Sequence, residues 1–256
     1  MVNAVAALLQ ARCGSSRLPG KVLVDLSGRP MLVFQVERLR RCQNIDQIIL
    51  ATTDQPSDDV LAEIAKDINI GVVRGSERDV LGRFALATQF TTAPTLVRLT
   101  GDCPFLDPEL TDKVIAAFQS QECDYLSNCN PPTFPDGLDV EVFSREALLR
   151  AEVECNSAEQ REHVTTWIRE SNCFRLGTFT QAEDQSAMRW TVDEPEDLEV
   201  IRAVVSHFGG DSTFSWQQVI QLQKQQPLLF AANKRFARNE GSQMGEGQKL
   251  WRRAKR

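Results

Sequence analysis

Histidine is nearly missing from this chain of 256 residues: His163 and His207 are the whole supply. That argues against a multi-histidine metal centre, so any metal must rest on carboxylates, the donor set of magnesium-type chemistry. Cysteine is less scarce but unpatterned. The seven cysteines, at 13, 42, 103, 123, 129, 155 and 173, are odd in number and form no C-x-x-C pair. Neither a disulfide framework nor a zinc ribbon is expected from them. No apolar run approaches the ~20 residues of a membrane span. Met1-Val2-Asn3 lacks the basic stretch that opens a secretory signal. The expectation is a cytoplasmic protein with no membrane partner.

What is present is ordinary globular composition, 42% hydrophobic and 25% charged, in a length that suits one large α/β domain or two small ones. Charge is uneven. The net charge is −6, yet residues 231–256 hold eight Lys/Arg against Glu240 and Glu246, a local +6, which leaves −12 for the rest. An acidic body is a poor platform for phosphate backbones, so no nucleic-acid partner is expected. The basic tail reads as a solvated linker.

Short apolar runs alternate with helical patterns, as a mostly parallel sheet demands. Strands are expected at 5–9, 48–51, 71–73 and 95–99, and helices at 31–41, 58–68, 77–90 and 108–118. The rhythm then changes. Residues 124–129 look extended, 131–137 are a Pro/Gly-rich loop, and 138–143 alternate like a strand. Helices follow at 145–154, capped by Ser144, and at 159–170. Strands at 174–179 and 188–192 precede an amphipathic helix at 195–208, whose acidic first turn suits the helix dipole. The expected organisation is a domain over 1–228 and a basic tail over 229–256. Within that domain lie a nucleotide-binding half to about 120, an inserted substrate-side region at 121–187, and a return to the sheet near 188–193.

Three segments carry chemistry. The first, Ala11-Arg12-Cys13-Gly14-Ser15-Ser16-Arg17-Leu18-Pro19-Gly20-Lys21, joins glycines, serines and three cations directly after a buried strand. Ligands of open α/β sheets bind outside the carboxyl ends of the strands, where freed N–H groups and cations can cradle phosphate. It is not a Walker A loop. Five residues separate Gly14 from Gly20, Val22 stands where the hydroxyl would be, and Pro19 removes a donor. The second segment is Leu99-Thr100-Gly101-Asp102-Cys103-Pro104. The third, Arg189 to Leu198, sets Asp193 at another strand end, where it could also cap the next helix. Two aspartates aimed at one phosphate crevice are what metal-assisted phosphoryl or nucleotidyl transfer needs.

The 11–21 loop resembles the signature of cytidylyltransferases that make CMP-activated acidic sugars, the CMP-Kdo and acylneuraminate enzymes. Asp102 and Asp193 fall where that family's two metal aspartates lie. Pro135 to Phe143, with Gln160-Arg161-Glu162-His163-Val164-Thr165, is similar to the spore coat polysaccharide biosynthesis protein F branch. Gly101-Asp102-Cys103-Pro104 departs from the G-D-E-P of the CMP-Kdo branch, which puts Kdo itself in doubt as the sugar. The resemblance implies a Rossmann-like α/β/α nucleotide-diphospho-sugar transferase fold with a small inserted substrate or dimerisation region. It also implies Mg²⁺-dependent transfer of CMP from CTP to a sugar, with pyrophosphate released.

On that reading Arg12, Lys21, Asp102 and Asp193 are catalytic, and the two aspartates hold Mg²⁺. Gln10, Ala11, Arg12, Gly14, Ser15, Arg17, Lys21 and Arg78 bind the nucleotide. Asp139 and Glu141, two apart on a strand and so on one face, bind the sugar together with Arg161 and His163. Two other readings stand beside it. A glycosyltransferase of similar fold would normally carry D-x-D, and Asp102-Cys103-Pro104 lacks the second aspartate. A non-catalytic nucleotide-sugar binding partner would be favoured by loss of one of the five charged residues, but all are present. A homodimer is a further expectation. The last residues, from 239 on, resemble the leading arm of glutamate-1-semialdehyde-type aminotransferases, which suggests a link to such a domain.

Overall fold

The computed structural model describes residues 4–238. Seven strands, β1 (Val5–Gln10), β2 (Gln47–Thr53), β3 (Gly71–Gly75), β4 (Thr95–Thr100), β5 (Tyr125–Ser127), β6 (Glu141–Ser144) and β7 (Leu176–Thr178), form one sheet. Their order is β3-β2-β1-β4-β6-β5-β7. β1 to β4 run parallel, β6 opposes both β4 and β5, and β7 runs parallel to β5.

Alternation along β1 builds the layers. Val5, Ala7 and Leu9 face one side, where they pack with α1 (Met31–Leu39), α2 (Asp59–Asp67), α4 (Pro108–Ser120), α8 (Pro195–His207) and α9 (Trp216–Gln225). Ala6 and Leu8 face the other side, with α3 (Val80–Ala87), α5 (Arg145–Glu154) and α7 (Thr166–Glu170). Strands buried on both faces need continuous apolar runs, and β1 is one. The result is the three-layer α/β/α arrangement that the family resemblance implies.

Three expectations change. Residues 188–192 are no sheet strand: Trp190 N–H donates to Asp136 O (2.7 Å) and Val192 N–H to Asp102 O (2.8 Å), so the segment divides its bonds between two loops. It makes a single bridge, Asp136 to Arg189. Gly137 permits that passage; its φ is +102°, and a Cβ there would lie 2.7 Å from the backbone of Thr191. The helix expected at 159–170 is broken into α6 (Ala158–Glu162) and α7, because Val164 adopts φ +60°, a left-handed conformation that ends a right-handed helix and is rare for a β-branched residue. The break turns Thr165 into the interior, where its hydroxyl donates to Glu141 (2.5 Å).

Residues 229–238 are the third change, for they dock on the body they were expected to leave. Phe230 and Asn233 are buried. The Asn233 amide donates to Arg189 O (3.1 Å) and Asp197 Oδ1 (3.0 Å). The remaining tail, with its basic cluster and its resemblance to an aminotransferase arm, lies outside the described residues. Among the described residues no helix is long and apolar enough to cross a membrane.

Candidate active site

β1 and β4 end side by side, Gln10 opposite Thr100. Gly101 follows, its N–H donating to Gln10 O (2.8 Å). A Cβ at Gly101 would lie 2.9 Å from that of Ala11, so only glycine lets the two strand ends meet. Above them the 11–21 loop is pinned by Asp58, which accepts from Cys13 N–H (2.7 Å) and from the Thr53 hydroxyl. Burial first, and then Asp58, pushes the Cys13 thiol up to about 12, so this cysteine is a packed side chain and no nucleophile.

Two cavities open at this edge. One, of about 240 Å³, is lined by Gln10, Ala11, Arg12, Ser15, Ser16, Arg17, Lys21, Thr100, Gly101, Asp102 and Asp193. The other, about 510 Å³, lies over the inserted region and is lined by Arg98, Thr100, Asp102, Asp136, Asp139, Glu141, His163, Thr165, Arg169, Asp193 and Arg238, among others. Thr100, Asp102 and Asp193 belong to both. The two aspartates therefore stand in the wall between a small cation-lined crevice and a larger polar chamber.

The aspartates converge on one point. The Lys21 ammonium donates to Asp102 Oδ2 (3.1 Å) and Asp193 Oδ1 (2.8 Å). Burial alone would push the Asp102 carboxyl up, but Lys21 and hydrogen bonds from Thr100, Lys21 and Cys103 hold it down at about 2. Burial disfavours the Lys21 charge, yet the two carboxylates outweigh it and raise its pKa. Two hard oxygen donors meeting around one cation fit a magnesium-type ion. Among the described residues no group of three or more His, Cys, Asp or Glu could hold a metal ion, so water or ligand oxygens would complete the coordination. Asp193 is not the cap of α8. Glu194 holds that position, and Asp197 Oδ2 accepts from the N–H groups of Asp193 (3.0 Å) and Glu194 (2.9 Å), which leaves the Asp193 carboxylate to the site.

The other sequence-predicted residues divide. Gln10, Ala11, Arg12, Ser15, Arg17 and Lys21 line the crevice. Gly14 sits in the same loop, in contact range of Glu77, which pairs with Arg12 (2.7 Å). Arg78 is exposed and lines neither cavity. Asp139, Glu141 and His163 line the chamber. Glu141 is already engaged by Arg98, the Tyr125 hydroxyl (2.7 Å) and Thr165, and these overcome its burial to lower its pKa. Arg161 is not brought to the chamber. It clamps Asp79 through two bonds (2.9 and 2.8 Å) and donates to Glu152 O and Cys155 O, tying α6 to α3.

Sequence reasoning passed over four arginines. Arg98 joins Glu141 to Gln10 Oε1 (3.3 Å), linking the two cavities. Arg189 bonds Asp197 twice (2.8 Å each) and reaches Asp136 (3.3 Å) and Asp193 (3.4 Å). Arg238, from the docked C-terminal segment, pairs with Asp139 and donates to Phe134 O (3.2 Å). Arg169 donates to the Thr166 hydroxyl (3.2 Å), and its buried Nε has no partner among the described residues. Apart from the alternation that places Arg98 within a strand, no local signal marks them; the chamber partners of Arg98, Arg189 and Arg238 (Glu141, Asp136 and Asp139) lie 43, 53 and 99 positions away.

A family model described as cytidylyltransferase matches residues 6–236. The chain belongs to the cytidylyltransferase family. As a member of it, the protein is a nucleotidyltransferase. It is 33% identical to the spore coat polysaccharide biosynthesis protein SpsF of Bacillus subtilis, over 88% of this chain and 96% of the relative. A cytidylyltransferase structure from Leptospira borgpetersenii superimposes with a TM-score of 0.84 at 32% identity, covering 88% of this chain and 96% of the other. The fold alone is shared with a CMP:2-keto-3-deoxy-manno-octonic acid synthetase solved with CTP, with TM-score 0.62, 18% identity, and coverage of 80% and 99%.

Proposed function

We propose that this cytidylyltransferase transfers CMP from CTP to a hydroxyl of an acidic sugar, releasing pyrophosphate, in the making of surface polysaccharide. The observation that carries the reading is the wall of Asp102 and Asp193 between two cavities. A nucleotide in the crevice and a sugar in the chamber would meet there, with the reacting atoms held together rather than diffusing. The polysaccharide context is supported by the name of the SpsF relative.

Arg12, Arg17 and Lys21 would hold the triphosphate and balance charge building on the leaving pyrophosphate. Gln10 and Ala11, at the floor of the crevice, would meet the nucleotide through side-chain amide and backbone. Asp102 and Asp193 would hold a divalent cation, Mg²⁺ in the ordinary case, which when bound neutralises and polarises the α-phosphate. Asp139, His163 and Arg238 face the chamber and would bind sugar hydroxyls. Arg169, not Arg161, is the cation we assign to an acidic sugar's carboxylate, because its buried Nε still lacks an acceptor.

The test is pyrophosphate release with Mg²⁺, each of the four NTPs, and a panel of Kdo, sialic-type and neutral sugars. Release confined to CTP and an acidic sugar is expected. Release with UTP or a neutral sugar alone would replace the substrate assignment, and no binding of any nucleotide would overturn it.

A further inference from the structure

The Lys21 ammonium has three N–H bonds and three acceptors: Asp102 Oδ2 (3.1 Å), Asp193 Oδ1 (2.8 Å) and Val192 O (2.8 Å). It has no donor left for a phosphate. Arg17 Nη2 lies 3.2 Å from the same Asp193 Oδ1, and its Nη1 donates to Glu194 (3.2 Å). Asp193 Oδ2 faces Arg189 (3.4 Å). Each Asp193 oxygen and Asp102 Oδ2 thus already touch a cation. Of those cations, Lys21 and Arg17 also line the nucleotide crevice, whereas Arg189 is buried and held by Asp197.

We propose that Lys21 and Arg17 form a cationic latch across Asp102 and Asp193, one that yields to a divalent cation only when a triphosphate draws the two side chains away. The inference rests on the proposed nucleotide and metal roles of this site. Without phosphate, a divalent ion must displace an ammonium hydrogen-bonded to both carboxylates and settle beside a guanidinium. Repulsion over such distances is strong in a partly buried site and little screened, since they are far below the Debye length. A triphosphate gives both cations new acceptors and frees the carboxylate oxygens on the same side. Metal and nucleotide then favour each other by one reciprocal factor, ordinarily about 5–150-fold.

The test is a titration of the full-length protein with Mn²⁺ alone, read by the electron paramagnetic resonance of the free ion. Wild-type protein should bind weakly and Lys21→Met roughly tenfold tighter, with Arg17→Ala between them. Asp193→Asn placed on Lys21→Met should abolish the gain. Arg12→Gln, which removes a crevice cation paired with Glu77, should leave Mn²⁺ affinity where it was. If Lys21→Met folds poorly, Arg17→Ala carries the same sign and its melting midpoint should rise with Mg²⁺ alone more than the wild type's does. Unchanged or weaker Mn²⁺ affinity in both variants, or a gain that survives Asp193→Asn, overturns the latch. Failure of the underlying reading shows separately, as no calorimetric binding of CTP with Mg²⁺ to the wild-type protein.

Discussion

The crevice and the chamber share a wall but are built differently. The crevice comes from one contiguous loop and the ends of two neighbouring parallel strands, closed by Asp193, and its cations Arg12, Arg17 and Lys21 rest on Glu77, Glu194 and the two aspartates. The chamber is assembled from β4, β6, the break between α6 and α7, and the docked C-terminal segment. Most of its charges pair with each other: Arg98 with Glu141, Arg238 with Asp139, and Asp136 with Arg189. A generic polyphosphate can be held by a local motif that recurs wherever a strand ends at a glycine-rich turn. A particular sugar needs a shaped, prearranged surface, and here distant parts of the chain supply it.

Arg189 lines neither cavity but holds Asp193 of the shared wall and Asp136 of the chamber from behind, so its loss should have the largest effect. Arg189→Met leaves Asp197, Asp136 and Asp193 without their shared partner, and removing one side of a buried ion pair costs about 3–5 kcal/mol. Chemical denaturation should show it, together with loss of the docked C-terminal segment as a site of protease resistance. Asp102→Asn should lower turnover on the order of 10²–10³-fold, while stability falls less than in Arg189→Met because Lys21 keeps Asp193 and Val192 O. A stability loss as large as that of Arg189→Met with turnover near wild type would make Asp102 structural and blur the distinction between the two cavities.

Arg238→Gln sharpens the comparison. The KM for the sugar should rise on the order of tenfold, the loss of a charge-assisted contact, while the KM for CTP stays within about twofold. A parallel rise in both would mean that the C-terminal segment serves the whole fold rather than the chamber.

The smallest effect concerns pH. Burial and then Asp139 push the Asp136 carboxyl up to about 7, despite Arg238 and Arg189. A carboxyl raised in the folded state stabilises while it is protonated. That contribution is whole below its ordinary pKa near 4 and is lost as pH rises through about 7. Asp136→Asn should therefore gain on wild type between pH 5 and pH 8, by on the order of 1 kcal/mol, in paired melting curves. A gain confined to the acid side would reverse the sign and mean that Arg238 and Arg189 outweigh burial at Asp136.

The same contrast decides what could be read from sequence. β1, β2 and β4 and the loop between Ala11 and Lys21 were legible because apolar periodicity, glycine and cations are local signals. Asp102 and Asp193 followed from their places after apolar runs, although the run before Asp193 proved to be a single bridge rather than a strand. Arg161 looked free on its helix because nothing nearby in sequence announced Asp79, 82 positions away. The basic composition places Arg238 in a tail for the same reason. Its partner Asp139 lies 99 positions back, and a basic composition reads as solvated wherever no tertiary contact can be seen.

The most direct test of the account is a crystal soaked with CTP and Mn²⁺ and measured at the manganese absorption edge. The account predicts an anomalous peak bonded by oxygens of both Asp102 and Asp193, with the triphosphate lying along residues 12–21 and the larger chamber left for the sugar. A nucleotide seated in the chamber, or a peak that touches neither aspartate, would contradict it.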